Sequence, residues 1–192
     1  REVMTVSFVD LAAFSAVAER LDARALVNFI NDYLGTMTQP ITACDGVTDK
    51  YIGDAVMAFW GPPFTTATQQ AEQACSAALA PRRARLEGAN KVYGTRVLVS
   101  ESTARTAAAM LLRPVDRLRV RGRTRPELAF ELLSTRADAG PALVERASRH
   151  AEAWDAYAHG RWGEALAGFE QAGFEQVAEG HAWLAARLVG FE

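Results

Sequence analysis

Residues 48–60 contain a hairpin signal that constrains the fold more than any other stretch of the chain. Six consecutive apolar residues, Ala55–Trp60, directly follow the pair Gly53-Asp54. A run of this length predicts a short strand buried on both faces, and the Gly-Asp pair predicts the tight turn before it. Asp54 is therefore either a residue suited to the turn or a carboxylate that a rigid strand holds as a metal ligand.

A second acid follows a strand near the start of the chain. Residues 3–9 have strand composition, Asp10 comes next, and residues 11–15 lead into a helix. Free N–H groups at a helix start bind phosphate, and a neighbouring acid can hold the metal ion that accompanies the phosphate. The alternative is that Asp10 is an ordinary helix N-cap.

The charge pattern limits the classes of partner. With a net charge of -2 and 23% charged residues, the chain as a whole matches a globular protein and not a nucleic-acid binder. Basic residues are concentrated, however, because residues 82–125 hold twelve Lys or Arg against three acids. Such a field suits a nucleoside triphosphate, although a solvated Arg-rich surface would look the same.

The remaining elements predict a mixed fold. They are a helix capped by Asp22, a helix over 68–79 that Pro81 interrupts, a helix from Ser100 to 112, and strands over 115–121 and 128–133. Helices that alternate with strands and hairpins imply an α+β fold, with helices on one face of a mostly antiparallel sheet.

The last fifty residues predict helices only. Residues 137–141 resemble a linker, and helices are predicted over 143–159, 162–171 and 174–188. The pattern around Trp162 resembles a tetratricopeptide helix pair, which needs a neighbour to cover its second face. The three histidines have no ligand spacing, so we interpret them as structural or surface residues.

Other sequence features limit the setting of the protein. Cys44 and Cys75 match no metal motif and are predicted to be reduced thiols in or near the core. No stretch approaches the length of a membrane span, and no signal peptide is found. We expect a cytoplasmic fragment of a longer protein, which could carry an upstream sensor or membrane domain.

Two acidic motifs together give the chain a family resemblance. Residues 6–15 and 49–61, supported by 86–94 and 120–123, strongly resemble the class III nucleotidyl cyclase catalytic domain. The resemblance implies a ferredoxin-like βαββαβ core over residues 1–136, followed by a helical, tetratricopeptide-like tail over 141–192. It also implies a head-to-tail homodimer with two shared active sites.

The resemblance assigns roles to the strand-ending acids. Asp10 and Asp54 would hold two divalent cations, Mg²⁺ or Mn²⁺, assisted by the Leu11 carbonyl. Phe14 and Ser15 belong to the backbone segment that would cradle the phosphates. The implied activity is adenylate cyclase: the ribose 3′-hydroxyl of ATP attacks the α-phosphorus, giving 3′,5′-cyclic AMP and pyrophosphate.

Three basic residues match positions that the partner chain supplies in this family. Lys50 matches the purine reader, and a lysine there can donate to adenine N1, which favours ATP over GTP. Arg85 matches the arginine that stabilises the transition state. Arg121 stands where the family has a basic residue on the terminal phosphates, usually a lysine, whose geometry an arginine does not reproduce.

One departure from the family pattern puts catalysis in question. Several tens of residues expected between positions 79 and 82 are absent, and the asparagine expected four residues before Arg85 falls on Pro81. Either a segment has been omitted from this sequence or the protein is a truncated relative. Because the pattern is intact on both sides of the junction, we favour omission.

Three functional hypotheses follow from the sequence. The first is an adenylate cyclase in signal transduction, and the second is a catalytically impaired cyclase-like dimerisation or regulatory module. The third, a diguanylate cyclase, is disfavoured because Ala55-Val56 follows Gly53-Asp54 in place of that family's acidic turn. No nucleic-acid partner is expected.

Overall fold

A computed structural model describes residues 2–11, 14–83, 97–118 and 126–174. The chain divides into two compact units, an N-terminal unit ending at Met110 and a C-terminal unit beginning at Leu111. The division predicted from sequence, a catalytic domain over 1–136 and a tail over 141–192, stays a prediction.

The N-terminal unit is built on a three-stranded antiparallel sheet. Its strands are β1 (Thr5–Val9), β2 (Val47–Ile52) and β3 (Ala55–Trp60), with β3 in the centre. Strands β2 and β3 form the predicted hairpin, in which Ile52 lies opposite Ala55. Gly53 has a φ of 65° in the connecting turn, a conformation that glycine adopts without steric cost.

Only one face of β3 is fully buried. Val56, Ala58 and Trp60 are buried, whereas the residues between them are half-buried. The prediction that β3 is buried on both faces is therefore wrong for the face that carries Ala55, Met57 and Phe59. The reason is that the helices of this unit cover the sheet from one side: Ile41, Ala74 and Ala77 share a core cluster with the three buried strand residues.

Helices and one short strand complete the N-terminal unit. They are α1 (Phe14–Ala18), α2 (Ala23–Ala43), α3 (Gln70–Arg83), β4 (Leu98–Ser100) and α4 (Glu101–Thr106). Both predicted caps are confirmed. Asp22 Oδ1 accepts a hydrogen bond from the Ala25 amide at 2.8 Å, and Ser100 Oγ accepts one from the Thr103 amide at 3.3 Å.

Two predicted helix ends are wrong. Helix α3 continues through Pro81 to Arg83, the last residue described before 97, so Pro81 does not interrupt the helix as predicted. Helix α4 ends at Thr106, not at 112, because residues from Met110 onward form a strand. A short apolar run such as 110–112 does not distinguish helix from strand by periodicity alone.

The C-terminal unit combines a strand pair with two helices. Its elements are β5 (Met110–Leu118), β6 (Glu127–Thr135), α5 (Pro141–Ala158) and α6 (Trp162–Ala172). The first residue of β5, Met110, is assigned to the N-terminal unit. Strands β5 and β6 are hydrogen-bonded neighbours. The predicted helix over 174–188 falls almost entirely outside the described residues, and the tetratricopeptide likeness of α5 and α6 stays a prediction.

Buried polar contacts hold this second unit together. Arg113 on β5 forms an ion pair with Glu131 on β6, and both side chains are nearly inaccessible. His150 on α5 is 1% exposed, and its Nε2 lies 2.9 Å from the Pro114 carbonyl oxygen. This agrees with a structural role for His150.

In the part of the chain described, no helix combines the length and apolarity that membrane crossing requires.

Candidate active site

The two predicted metal-binding acids lie at the same end of the sheet. Strands β1 and β3 are antiparallel, and Val9 pairs with Val56. The residue after β1, Asp10, and the residue before β3, Asp54, are therefore neighbours across the strand ends. A hydrogen bond from the Leu11 amide to Asp54 Oδ2, 3.3 Å long, joins the two ends directly.

Leu11 connects the strand end to the short helix that follows. Its amide donates to Asp54, and its carbonyl oxygen accepts a hydrogen bond from the Phe14 amide at 3.2 Å. A carbonyl oxygen has two lone pairs, so this oxygen keeps the capacity to accept one further bond. The Leu11 carbonyl thus remains chemically suited to the assisting role predicted for it.

The donor set fits a hard divalent cation. Carboxylate and carbonyl oxygens are the ligands that Mg²⁺ and Mn²⁺ prefer, and Mg²⁺ commonly uses one or two carboxylates together with phosphate oxygens and water. Within residues 2–11, 14–83, 97–118 and 126–174, no group of three or more His, Cys, Asp or Glu forms a complete metal cage. Asp10 and Asp54 are thus compatible with ions that arrive with a phosphate ligand.

Tyr33 on α2 is a polar group near these acids that the sequence reasoning missed. Its hydroxyl oxygen is buried and has no hydrogen-bond partner among the described residues. Burial, followed by the negative charges of Asp54 and Asp10, raises the pKa of Tyr33 to about 12. The signal that could have drawn attention to Tyr33 is that the hydroxyl of a buried tyrosine usually needs a hydrogen-bond partner.

Lys50 lies on the sheet face opposite the core. A register shift between Thr48 and Lys50 makes Asp49 an extra residue in β2, so that Lys50 and not Asp49 pairs with Met57. Cross-strand partners share a face, and Met57 alternates with the buried residues of β3. The lysine side chain is 58% exposed, with its ammonium 3.2 Å from the Asp49 carboxylate.

Apolar side chains surround Lys50 on this open face. Val6 and Phe8 of β1 pair with Phe59 and Met57 of β3, respectively. Val6 is 47% exposed and Phe8 is 65% exposed. An exposed apolar surface of this kind is typical of a face that another protein surface covers.

The other predicted site residues are only partly described. Phe14 and Ser15 begin the five-residue helix α1, where Phe14 is half-buried and Ser15 is exposed. Arg85 and Arg121, predicted to act on the transition state and the phosphates, lie outside the described residues. Their roles stay predictions.

Comparison with solved structures defines the class of fold. The crystal structure of the adenylyl cyclase CyaB from P. aeruginosa superposes with a TM-score of 0.62 at 23% identity, over 72% of this chain and 97% of that chain. The guanylate cyclase domain of RhGC from Catenaria anguillulae, crystallised in complex with GTP, gives 0.59 at 15% identity, over 70% and 98%. The chain has the fold of the class III nucleotidyl cyclase catalytic domain, as the sequence predicted.

Among curated proteins, the similarity is to adenylate cyclases. The chain is 39% identical over 57 residues to "Adenylate cyclase" of Anabaena cylindrica, which is 30% of this chain and 11% of that protein. It is 32% identical over 90 residues to "Adenylate cyclase 1" of Rhizobium meliloti (strain 1021), 47% and 13% respectively. The matches therefore span about an eighth or less of these relatives. No protein-family model matches the chain.

Proposed function

We propose that this chain is an adenylate cyclase catalytic domain that converts ATP to 3′,5′-cyclic AMP and pyrophosphate. The proposal rests chiefly on one observation: Asp10 and Asp54 lie at one end of the sheet, and the Leu11 amide bonds Asp54 there. The curated relatives named adenylate cyclase support the same activity.

The chain's own groups have separate tasks in this reaction. Asp10 and Asp54 hold two divalent cations, Mg²⁺ or Mn²⁺, with the Leu11 carbonyl as a further ligand. When bound, such ions lower the pKa of the attacking 3′-hydroxyl and neutralise charge on the phosphates. The Leu11 amide keeps the Asp54 carboxylate oriented before substrate arrives, which reduces the rearrangement needed during the reaction.

Phosphate binding falls to the segment after β1. The backbone at Phe14 and Ser15 lies at the start of α1, where amide groups lack partners within the helix, although the Phe14 amide already donates to the Leu11 carbonyl oxygen. Arg121 carries a positive charge to the terminal phosphates, and Arg85 stabilises the charge that develops in the transition state. Both roles follow from the resemblance.

Substrate choice and dimerisation involve the open sheet face. Lys50 donates to adenine N1 in the active site shared with the partner chain, which favours ATP over GTP. The exposed apolar residues beside it, including Phe8 at 65% exposure, support a face that a second copy covers in a head-to-tail homodimer.

A second candidate is a cyclase-like dimerisation or regulatory module without turnover. Pro81, at the position of the expected asparagine, favours this candidate, and it lies within the continuous helix α3. An intact-mass measurement of the natural protein tests whether additional residues lie between Leu79 and Arg82. A mass that accommodates only the present sequence between Leu79 and Arg82 would favour the impaired module.

Turnover assays separate the two candidates. Purified protein is incubated with ATP or GTP and with Mg²⁺ or Mn²⁺, and cyclic nucleotides are quantified. We expect cyclic AMP from ATP, little cyclic GMP, and a specific activity that falls on dilution because the active sites are shared. Nucleotide binding and dimerisation without any cyclic product would instead support the regulatory module.

A further inference from the structure

The connection between α2 and β2 contains a chemically labile pair of residues, Asp45-Gly46. It is the single Asp-Gly pair of the chain, and the sequence has no Asn-Gly pair. In a flexible chain, the backbone nitrogen that follows an aspartate can attack the carboxyl carbon of that side chain. A following glycine hinders this ring closure least, because it has no Cβ and its backbone turns freely.

Packing explains why a glycine follows Asp45. A Cβ added at Gly46 would lie 2.5 Å from Cε2 and 2.6 Å from Cζ2 of Trp60, so a larger residue does not fit without a shift. Asp45 has a φ of 57°, a left-handed conformation that aspartate tolerates better than most other residues. The labile pair therefore stands at a position that the fold restricts to glycine.

The end of α2 holds the nitrogen that would attack. The Gly46 amide donates to the Ile41 carbonyl oxygen at 2.8 Å, and the Asp45 amide donates to the Thr42 carbonyl oxygen at 3.2 Å. Together these two bonds form the Schellman arrangement that closes many helices. While it persists, the Gly46 N–H is directed at Ile41 and not at the side chain of Asp45.

A second contact holds the carboxylate that would be attacked. Nε2 of Gln73, on α3, donates to Asp45 Oδ2 at 2.9 Å. The nitrogen and the carboxylate are thus bound to different partners, and ring closure requires both hydrogen bonds to break. Such opening of a helix end is a local event that needs less free energy than global unfolding.

We propose that Asp45-Gly46 is a modification site, at which Asp45 isomerises to isoaspartate when the end of α2 opens, and that Gln73 suppresses the reaction in the folded protein. The Gly46 nitrogen bonds to Cγ of Asp45, and the amide proton leaves with a carboxyl oxygen as water. Water then opens the resulting cyclic imide at the main-chain carbonyl, which leaves Gly46 attached through Cγ. The net reaction consumes no other reagent.

The product does not fit the folded N-terminal unit. Isoaspartate inserts one methylene group into the main chain directly before Gly46, where the backbone packs against Trp60. The indole of Trp60 also donates to the Cys44 carbonyl oxygen at 2.9 Å, so the displaced segment includes both contacts. Isomerisation therefore converts a reversible opening of the helix end into a lasting loss of native packing.

The test compares isomerisation rates in Gln73→Met and the wild-type protein. Both are incubated near neutral pH, folded and in concentrated guanidinium chloride, and isoaspartate at position 45 is quantified by peptide mapping with electron-transfer mass spectrometry. We expect Gln73→Met to isomerise about threefold to tenfold faster than wild type when folded, the effect of losing one hydrogen bond. In guanidinium chloride both proteins should isomerise equally and faster than folded wild type.

Gln70→Met is the matched control, because it makes the same chemical change on the same helix. It removes the bonds from Gln70 to the Thr5 amide and the Val3 carbonyl oxygen and leaves the contact with Asp45 in place. Its melting temperature should fall, but it should isomerise more slowly than Gln73→Met. Equal rates in these two variants, or in Gln73→Met and wild type, would overturn the role of Gln73. Absence of isoaspartate at position 45 in the unfolded chain would overturn the site itself.

Discussion

The backbone amide of Leu11 donates a hydrogen bond to Asp54 Oδ2 across 3.3 Å, although the two residues are 43 positions apart in the chain. This contact exists because β1 and β3 are antiparallel neighbours with Val9 opposite Val56. It fixes one carboxylate oxygen and leaves the other available to a cation. Assembly of the proposed metal site therefore depends on correct pairing of β1 with β3.

Asp54→Asn tests the metal role. An asparagine oxygen can still accept from Leu11, so the fold should persist, but the negative charge that holds a divalent cation is lost. We expect cyclic AMP formation in Mn²⁺ to fall by at least about a hundredfold. Asp45→Asn is the control, because Asp45 is exposed, bonds Gln73 Nε2, and has a φ of 57° that asparagine tolerates. Undiminished activity of Asp54→Asn would exclude it as a metal ligand.

Lys50→Glu tests purine recognition. Reversing the charge removes the donor to adenine N1 and supplies an acceptor for the corresponding donor of guanine. The ratio of kcat/KM for ATP to that for GTP should fall by at least about tenfold, the size expected when one buried hydrogen bond changes. Asp49→Asn removes the neighbouring charge 3.2 Å from the lysine and should leave the ratio nearly unchanged. An unaltered ratio in Lys50→Glu would refute the recognition role.

Gly46→Ala should destabilise the N-terminal unit. An added Cβ would lie 2.5 Å from Cε2 of Trp60, whose indole also donates to the Cys44 carbonyl at 2.9 Å. We expect the free energy of unfolding to fall by about 1–3 kcal/mol, measured by denaturant titration. The matched control is Gly35→Ala in α2, where the described residues beyond the adjacent backbone of the helix place no atom within 4 Å of the added Cβ. That variant should gain about 0.5–1 kcal/mol, because alanine favours the helix. Equal effects at both positions would show that the Trp60 contact is unimportant.

Cys75 should be slow to react with alkylating agents. Burial, followed by the charge of Glu72, raises the pKa of its thiol to about 11, so the reactive thiolate is scarce at pH 8. Because the folded pKa is raised, the thiolate fraction should keep increasing about tenfold per pH unit up to roughly pH 11. Iodoacetamide labelling of a Cys44→Ser variant, followed by mass spectrometry, measures this single thiol. A labelling rate that levels off near pH 9 would contradict the prediction.

Local signals in the sequence determined several elements without further information. The Gly53-Asp54 turn and the caps Asp22 and Ser100 involve groups no more than three residues apart, so the sequence specifies them through short-range sterics and hydrogen bonds. The pairing of two acidic motifs likewise identified the fold class before the structure did. The end of α4 at Thr106 was not predicted from the sequence, because the residues from Met110 onward belong to strand β5.

Tertiary structure alone decided how those pieces meet. The neighbourhood of Asp10 and Asp54 depends on strand register, and the exposure of Lys50 depends on the extra residue Asp49 in β2. The burial of the Tyr33 hydroxyl oxygen depends on how α2 packs on the sheet. These relationships join residues far apart in the chain, and the free energy that selects them comes from burying one face of β3, which residue spacing alone does not reveal.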